Sequence, residues 1–356
     1  MHLWALRGET MNMPNKNIDL NIQSFQPLIT PLEARAHVVV SDESILCVTQ
    51  SRDVVRNILD RKDPRKFVVV GPCSIHDPKA AMEYAHLLSE LARELGERLF
   101  IIMRTYFEKP RTSIGWKGFI NDPHLNNTFD MNEGLIKGRQ LLCDITALGL
   151  PVANEALDPI VPQYLADLIT WTAIGARTTE SQLHREMASG LSAPVGFKNT
   201  TDGNVLVAIN AMKSARSRHH FLGIDEEGRT AIVATKGNPH CHLILRGGSD
   251  GPNYDAKSVK TAEEALASHS LPRNIVIDCS HDNSKKDFRR QPSVLEDCIK
   301  QIKDGDDSIV GFMLESHLHE GNQPLSDNLR YGVSITDGCL SFDDTKRILK
   351  ETSKQL

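Results

Sequence analysis

Eight short apolar segments alternate with longer amphipathic stretches, and this alternation constrains the fold more than any other feature of the chain. The short segments span residues 67–73, 99–107, 151–157, 171–176, 194–199, 241–248, 274–281 and 308–316. They are rich in β-branched residues, which is typical of buried strands. Stretches with helical spacing of apolar residues follow, as in 79–96, 132–149, 180–191, 292–305 and 336–356. Eight strand–helix pairs in series predict a (β/α)8 TIM barrel over residues 67–356.

A doubly wound open sheet is the alternative fold, but it usually has fewer strands and a glycine-rich first turn. Neither GxGxxG nor GxxxxGK[ST] occurs, which counts against nucleotide binding. Two regions interrupt the barrel pattern. Residues 1–66 are predicted to form a separate N-terminal arm with a helix over 42–63. Residues 218–236 are predicted to form a β-hairpin around a DEEG turn, inserted between the fifth helix and the sixth strand.

Charge and cysteine content exclude several classes of protein. The net charge is -5 and the isoelectric point is about 6.3, whereas nucleic-acid binders usually carry a strongly basic face. The seven cysteines are scattered and odd in number, so they do not form a disulfide framework. No apolar run is long enough to cross a membrane. We therefore expect a cytoplasmic protein without a nucleic-acid or membrane partner.

Basic residues cluster at the ends of the predicted strands, where barrel enzymes carry their chemistry. A single arginine after a strand is most often a solvated surface residue. Several like charges on one face repel each other unless anions neutralise them. The pattern therefore predicts a pocket for ligands with more than one phosphate or carboxylate. Its members are Arg104, Lys109, Arg111, Arg177, Lys198 and Arg246.

Metal-ligand residue types lie at the ends of the seventh, eighth and first strands, which are neighbours in a closed barrel. They are His281, Glu315 and Cys73, and Asp337 follows in the loop after the eighth strand. Each has an ordinary structural explanation, since free cysteine behaves as a small buried hydrophobe. Together they predict one divalent metal ion, and the mixed sulfur, nitrogen and oxygen donors suit Mn, Fe, Co, Zn or Cu.

Several segments resemble the type I 3-deoxy-D-arabino-heptulosonate-7-phosphate (DAHP) synthases from about residue 15 to the C-terminus. They include GPCSIHDP (71–78), MRTYFEKPRTSIGWKGFINDP (103–123), PVGFKN (194–199), LRGG (245–248), ESHLHEGNQ (315–323) and SITD (334–337). The resemblance implies a TIM barrel with an N-terminal extension and an inserted hairpin. It also implies a 3-deoxy-7-phosphoheptulonate synthase, which condenses phosphoenolpyruvate with erythrose 4-phosphate in the first step of the shikimate pathway. Members form homodimers or homotetramers.

The resemblance also assigns roles to individual residues. Cys73, His281, Glu315 and Asp337 are expected to bind the metal. Arg104, Lys109, Arg177, Lys198 and Arg246 are expected to bind phosphoenolpyruvate, and Arg111 and Thr112 the phosphate of erythrose 4-phosphate. Lys109 is expected to protonate the new alkoxide or to orient the aldehyde. Glu155 is expected to position a water molecule, or to pair with a neighbouring cation.

Family members of this subtype are inhibited by aromatic amino acids, so the arm and the hairpin are expected to be regulatory or oligomerising elements. The alternative for the hairpin is that it only caps one end of the barrel. The expected effector site comprises Pro162, Gln163, Leu191, Ser192, Phe221, Gly223 and Val233. Phenylalanine-regulated relatives tend to carry serine where this chain has Gly223. The missing hydroxymethyl group leaves room for a phenolic hydroxyl, which favours tyrosine as the inhibitor.

Three alternative functions are consistent with parts of the sequence. The first is the related octulosonate-phosphate synthase, which the KPRT motif at 109–112 and the long arm oppose. The second is a Schiff-base aldolase that uses Lys109 or Lys198 as its nucleophile. The third is a non-catalytic barrel protein, which the complete sets of metal-type and anion-binding residues oppose.

Overall fold

Eight parallel strands close into a barrel, and two further strands form a separate hairpin. The structure is a computed structural model that describes residues 18–111 and 114–356. The strands are β1 (Lys66–Gly71), β2 (Leu99–Arg104), β3 (Val152–Glu155), β4 (Trp171–Ile174), β5 (Val195–Lys198), β6 (His220–Ile224), β7 (Thr230–Ala234), β8 (Cys241–Leu245), β9 (Ile275–Asp278) and β10 (Ile309–Glu315). Around the barrel the order is β1, β10, β9, β8, β5, β4, β3 and β2. The predicted TIM barrel is confirmed.

Helices connect the strands and cover the outside of the barrel. They are α1 (Pro31–His37), α2 (Asp42–Leu59), α3 (Pro78–Leu95), α4 (Met131–Ala147), α5 (Pro162–Leu165), α6 (Gln182–Gly190), α7 (Val205–Ala215), α8 (Ala256–Ser268), α9 (Gln291–Lys303) and α10 (Phe342–Gln355). Side-chain caps fix where several of them begin, such as Asp77 for α3 and Asp255 for α8. The last helix begins at Phe342 rather than at residue 336, because Ser341 caps it and residues 336–341 belong to the preceding loop.

The barrel strands alternate between an inner and an outer row of side chains. Most inner side chains are apolar and form one buried cluster. It includes Phe67, Val69, Ile102, Ala153, Trp171, Ala173, Ile244, Val276 and Met313. The outer row packs with the helices in a second cluster. Two residues further along six of the eight strands, the inner row becomes charged, at Arg104, Glu155, Lys198, Arg246, Asp278 and Glu315. The alternation alone therefore directs these charges into the C-terminal mouth of the barrel.

The helix α2 packs beneath the barrel, at the end opposite the charged residues. Its Val55, Ile58 and Leu59 belong to the same buried cluster as the inner row of the strands. Asn274, which precedes β9, donates its side-chain amide to the Leu59 carbonyl at 2.8 Å. Arg52 donates to the Ile169 carbonyl ahead of β4 at 3.0 Å. Apolar side chains from the N-terminal extension thus complete the core of the barrel.

One histidine lies in the inner row near this lower end. His242 in β8 is completely buried, and its Nε2 accepts a hydrogen bond from Trp171 Nε1 at 3.0 Å. Its Nδ1 lies 3.3 Å from the His240 carbonyl oxygen, so the neutral ring carries its proton on Nδ1. Burial lowers the pKa of His242 to about 4, because the protonated ring would lose its hydration there.

The strands β6 and β7 form the inserted hairpin, which is confirmed between α7 and β8. Phe221 pairs with Val233, and Leu222 pairs with Ile232 on the opposite face. Leu222 and Ile232 are 83% and 75% exposed. The assignment of residues 1–66 to a separate arm stays a prediction, and residues 1–17 lie outside the described part of the chain. Among the described helices, none combines the length and apolarity that a membrane span requires.

Candidate functional site

A polar cavity of about 280 Å³ opens at the C-terminal ends of the strands. Eight predicted site residues line it: Lys109, Arg111, Glu155, Arg177, Lys198, Arg246, His281 and Asp337. Three more are buried at its base or wall, namely Cys73, Arg104 and Glu315. Thr112 lies outside the described residues. Residues that are far apart in the sequence therefore converge on one cavity, because each ends a strand or lies in the loop that follows it.

The metal-type ligands converge on one side of this cavity. One donor atom from each of Cys73, Glu315 and Asp337 lies within 4.8 Å of the others, and Cys73 Sγ is 3.7 Å from Asp337 Oδ2. His281 Nε2 is 4.0 Å from Glu315 Oε1, so the imidazole faces the same group. A soft sulfur, an imidazole nitrogen and two carboxylates fit a first-row transition metal.

Two cations contact this group from below and from the side. Arg104 Nη2 donates to Glu315 Oε1 at 3.0 Å, and its guanidinium lies 3.5 Å from the centre of the Tyr106 ring. Lys109 Nζ is 3.1 Å from Cys73 Sγ. Burial and the Glu315 carboxylate raise the pKa of Cys73, while Lys109 lowers it. Burial lowers the pKa of Lys109, but Cys73 and the carboxylates raise it above its ordinary value, so Lys109 is a cation at neutral pH.

The loop after β2 brings Lys109 back over the cavity. The Lys109 amide donates to the Lys117 carbonyl at 2.8 Å, and Glu108 bridges to Gly118. Gly118 has φ +124, and a Cβ there would lie 2.7 Å from Glu108 Cα. Only glycine allows the two sides of the loop to approach this closely. Arg111 lies farther out in the loop, where it is exposed and its Nε donates to the Trp116 carbonyl at 2.8 Å.

Lys198 and Arg246 form the deep part of the anion-binding side. Lys198 Nζ donates to Asp278 Oδ2 at 2.8 Å, and Arg246 pairs with Asp282. The Arg246 amide donates to Asn199 Oδ1 at 2.9 Å, which ties the ends of β5 and β8 together. Arg177 follows β4 and lines the same cavity from an exposed position. Because Lys198 and Arg246 are only 3% and 7% exposed, they interact strongly with anions that enter.

Glu155 ends β3 and lies at the wall of the cavity. It is 7% exposed, and its Oε1 has no hydrogen-bond partner among the described residues. A buried oxygen without a partner is costly, which marks it as a position for a water molecule or a ligand group. Gly175 supports this arrangement, since a Cβ at that position would overlap Glu155 Oε1.

Three residues of the site were not predicted. Asp278 is completely buried between Lys198 and His281, and Tyr106 lies under Arg104. Burial raises the pKa of Asp278, but His281 and Lys198 hold it well below its usual range. Lys286 lines the cavity beside His281 and Asp337. The position of Asp278 in the inner row, two residues after Val276, is a signal that identifies it from the sequence.

The predicted effector residues fall into two groups. Pro162, Leu191 and Ser192 line one crevice on the outside of the barrel, and the neighbouring Gln163 accepts a hydrogen bond from Arg35 at its carbonyl. Phe221, Gly223 and Val233 lie together on the hairpin. Within the part of the chain that the structure describes, the hairpin group does not line that crevice.

Comparison with known proteins gives a consistent result over nearly the whole chain. The model of the DAHP synthetase I family matches residues 38–350. The chain is 52% identical over 342 residues to the Tyr-sensitive phospho-2-dehydro-3-deoxyheptonate aldolase of Salmonella typhimurium, covering 95% of this chain and 96% of the relative. It is 51% identical over 341 residues to the Phe-sensitive enzyme of Escherichia coli, covering 95% and 97%. A solved phospho-2-dehydro-3-deoxyheptonate aldolase from Francisella tularensis superposes with a TM-score of 0.93 at 50% identity, covering 94% of this chain and 98% of that one.

Proposed function

Since this chain belongs to the DAHP synthetase I family, we propose that it condenses phosphoenolpyruvate with D-erythrose 4-phosphate and water to give DAHP and inorganic phosphate. One observation carries the proposal. A single cavity has buried cations on one side and the Cys73, Glu315 and Asp337 donor group on the other. Two anionic substrates and a carbonyl to be activated match these two sides.

Phosphoenolpyruvate is assigned to the deep cations. Its phosphate and carboxylate need several donors, which Lys198, Arg246, Arg177, Lys109 and Arg104 supply. Buried guanidinium and ammonium groups form stronger hydrogen bonds to anions than exposed ones do. They also hold the enol close to the second substrate, although the two molecules are both anions that repel each other.

Erythrose 4-phosphate is assigned to the outer part of the cavity. The exposed Arg111 and the adjacent Thr112 would bind its phosphate near the mouth. The aldehyde then reaches inward toward the ligand group of Cys73, His281, Glu315 and Asp337. A divalent ion held by these four residues would act as a Lewis acid on the aldehyde oxygen.

The remaining steps use side chains of the barrel. Carbon 3 of phosphoenolpyruvate attacks the aldehyde carbon, and Lys109 donates a proton to the resulting alkoxide. Positive charge develops at carbon 2, where a water molecule held by Glu155 adds and loses a proton. Cleavage of the bond between carbon 2 and the phosphate oxygen then releases inorganic phosphate. The unpartnered Oε1 of Glu155 supports its assignment to the water.

Phosphate release from the two substrates tests this proposal. The protein is assayed with phosphoenolpyruvate plus erythrose 4-phosphate, with and without EDTA, and EDTA is expected to abolish turnover. Faster turnover of arabinose 5-phosphate than of erythrose 4-phosphate would support the octulosonate synthase instead. Trapping of a covalent substrate adduct by borohydride would support the Schiff-base aldolase.

We also propose feedback inhibition by tyrosine. Gly223 supports this, because a Cβ there would lie 2.8 Å from Val233 Cγ2 and would crowd the hairpin group. Relatives of similar identity carry both Tyr-sensitive and Phe-sensitive names, so Gly223 decides between them in this proposal. Inhibition is measured with tyrosine, phenylalanine and tryptophan in wild type and Gly223→Ser. Wild type is expected to respond most to tyrosine, and stronger inhibition by phenylalanine would refute the assignment.

We propose in addition that the protein is cytoplasmic and forms homodimers or homotetramers. The exposed Leu222 and Ile232 of the hairpin support self-association, since large apolar side chains that are adjacent and exposed are typical of interfaces. Light scattering coupled to gel filtration measures the mass of the assembly.

A further inference from the structure

One carboxylate oxygen contacts both sides of the cavity. Asp278 Oδ2 accepts a hydrogen bond from Lys198 Nζ at 2.8 Å, and His281 Nδ1 lies 2.9 Å from the same oxygen. The other oxygen, Oδ1, accepts from the Ser280 amide at 3.1 Å and from its hydroxyl at 2.6 Å. The carboxylate is completely buried at the end of β9. Its position is therefore fixed, while two functional side chains share one of its oxygens.

Two polar groups at His281 Nδ1, Asp278 Oδ2 at 2.9 Å and Ser280 Oγ at 2.7 Å, determine which ring nitrogen faces the metal-type ligands. With Nδ1 directed at Asp278, Nε2 faces Glu315 Oε1 at 4.0 Å. A carboxylate behind a metal-binding histidine orients the ring and increases its basicity. The contact with Lys198 holds the ammonium at the wall of the cavity, where the anionic substrate is assigned.

We propose that Asp278 is a positioning residue that couples binding of a divalent metal at His281 to binding of phosphoenolpyruvate at Lys198. The inference rests on the proposed function. A cation held at His281 Nε2 would increase the positive charge on the Nδ1–H group and strengthen its attraction to Asp278 Oδ2, which lies 2.9 Å away. The hydrogen bond between Lys198 Nζ and Asp278 Oδ2 then becomes weaker, so the ammonium binds an incoming anion more readily. The two ligands thus increase each other's affinity.

The variant Asp278→Asn tests the coupling, and Asp282→Asn is its matched control. Asp282 is also a carboxylate that pairs with a cation of the cavity, Arg246, but this ion pair is on the anion-binding side alone. Isothermal titration measures Mn²⁺ binding to each metal-free protein, and phosphoenolpyruvate binding with and without Mn²⁺. In Asp278→Asn, Mn²⁺ affinity is expected to fall roughly 10- to 100-fold. The effect of Mn²⁺ on phosphoenolpyruvate affinity is expected to disappear.

Asp282→Asn releases Arg246 for the anion, so phosphoenolpyruvate affinity is expected to be retained or increased. Mn²⁺ affinity is expected to stay within about twofold of wild type, because a partly exposed charge that does not pair with His281 is largely screened. Equal losses of Mn²⁺ affinity in the two variants would overturn the proposal, because they would indicate a general charge effect. Unchanged Mn²⁺ affinity in a folded Asp278→Asn protein would overturn it as well.

Lys198→Met provides a second test if Asp278→Asn does not fold. This variant leaves Asp278 Oδ2 to His281 alone, so Mn²⁺ affinity is expected to be retained or increased. A tenfold loss of Mn²⁺ affinity would contradict the sharing of one oxygen. A failed condensation assay in wild type would refute the proposed function instead, whereas the Mn²⁺ titrations do not depend on turnover.

Discussion

Single residues of the site are placed by two different kinds of backbone. Arg104, Lys198 and Glu315 end strands, and their direction follows from alternation along the strand. Lys286 reaches the cavity through a loop in which Lys285 and Lys286 have φ values of 54° and 60°. Residues other than glycine rarely adopt this left-handed conformation. The loop therefore directs a lysine at the cavity in a way that sequence periodicity does not reveal.

Lys286→Met is expected to raise the KM for erythrose 4-phosphate roughly five- to tenfold. The variant would remove one charge-assisted hydrogen bond to this substrate at a partly solvated position. The KM for phosphoenolpyruvate is expected to stay unchanged, because its deep cations remain. Steady-state kinetics measures both values. Lys285→Met is the control, since the neighbouring lysine does not line the cavity. Equal effects of the two variants would show that Lys286 has no specific role.

Cys73→Ala is expected to reduce metal affinity by roughly 100-fold or more. Mutation of residues that only hydrogen-bond to metal ligands already lowers metal affinity about 10- to 100-fold, and the loss of a ligand itself costs more. Metal-dependent turnover is lost with it. Metal content after dialysis and turnover with added Mn²⁺ measure the two effects, and circular dichroism checks the fold. Cys47→Ala is the control, because Cys47 lies in α2 at the opposite end of the barrel. Wild-type metal content in Cys73→Ala would remove Cys73 from the site.

At the scale of elements, α2 has a structural role beneath the barrel. Its Val55, Ile58 and Leu59 fill the lower end of the inner cluster, and Arg52 and Asn274 fasten it to the segments ahead of β4 and β9. Other side chains of the same helix, such as Ile45, are exposed. The helix therefore buries one face only, as amphipathic surface helices do.

Ile58→Ala is expected to lower the free energy of unfolding by roughly 2–5 kcal/mol, since it leaves a cavity in a core where Ile58 is 2% exposed. Ile45→Ala in the same helix removes the same atoms from a side chain that is 53% exposed, so its effect is expected to stay below about 1 kcal/mol. Urea denaturation followed by circular dichroism measures both. If the free energy of unfolding fell as little in Ile58→Ala as in Ile45→Ala, α2 would not contribute to the barrel core.

Most elements were predictable from the sequence, because a buried strand and an amphipathic helix have different apolar periods. The predicted strand 241–248 ends earlier, at Leu245, and Gly247 then turns away with φ +75. Three of the metal-type ligands, Cys73, His281 and Glu315, were identifiable because each lies at or just after the end of a strand, and Asp337 follows in the loop after β10. Lys286 was not, since its position depends on left-handed backbone at residues that carry no glycine.

At the scale of the whole molecule, buried histidines make stability depend on pH. The pKa of His242 is about 4 in the folded protein, below the ordinary 6.5 of an exposed ring. Above pH 6.5 the ring is neutral in both the folded and the unfolded chain. As the pH falls from 6.5 towards 4, the unfolded chain binds a proton that the folded chain does not bind, so stability decreases.

The contribution of His242 to the free energy of unfolding is expected to fall by roughly 3 kcal/mol between pH 7 and pH 4. Denaturant unfolding at several pH values measures the total dependence. His242→Gln keeps an acceptor for Trp171 and a donor for the His240 carbonyl but does not titrate, so its dependence on pH is expected to be smaller by that amount. Parallel curves for wild type and variant would show that His242 does not titrate on unfolding.

The alternation that directs charges inward also limits how this gene can vary in length. Deleting one residue within β8 would move Leu245 into the inner row and Arg246 into the packing against the helices, because a shift by one position exchanges the two rows. Substitutions within a strand of this barrel are therefore compatible with the fold, whereas the insertion or deletion of one residue in such a strand is not. Length variation among descendants of the gene is expected in exposed turns, such as the one at residues 225–229, where neither row is affected.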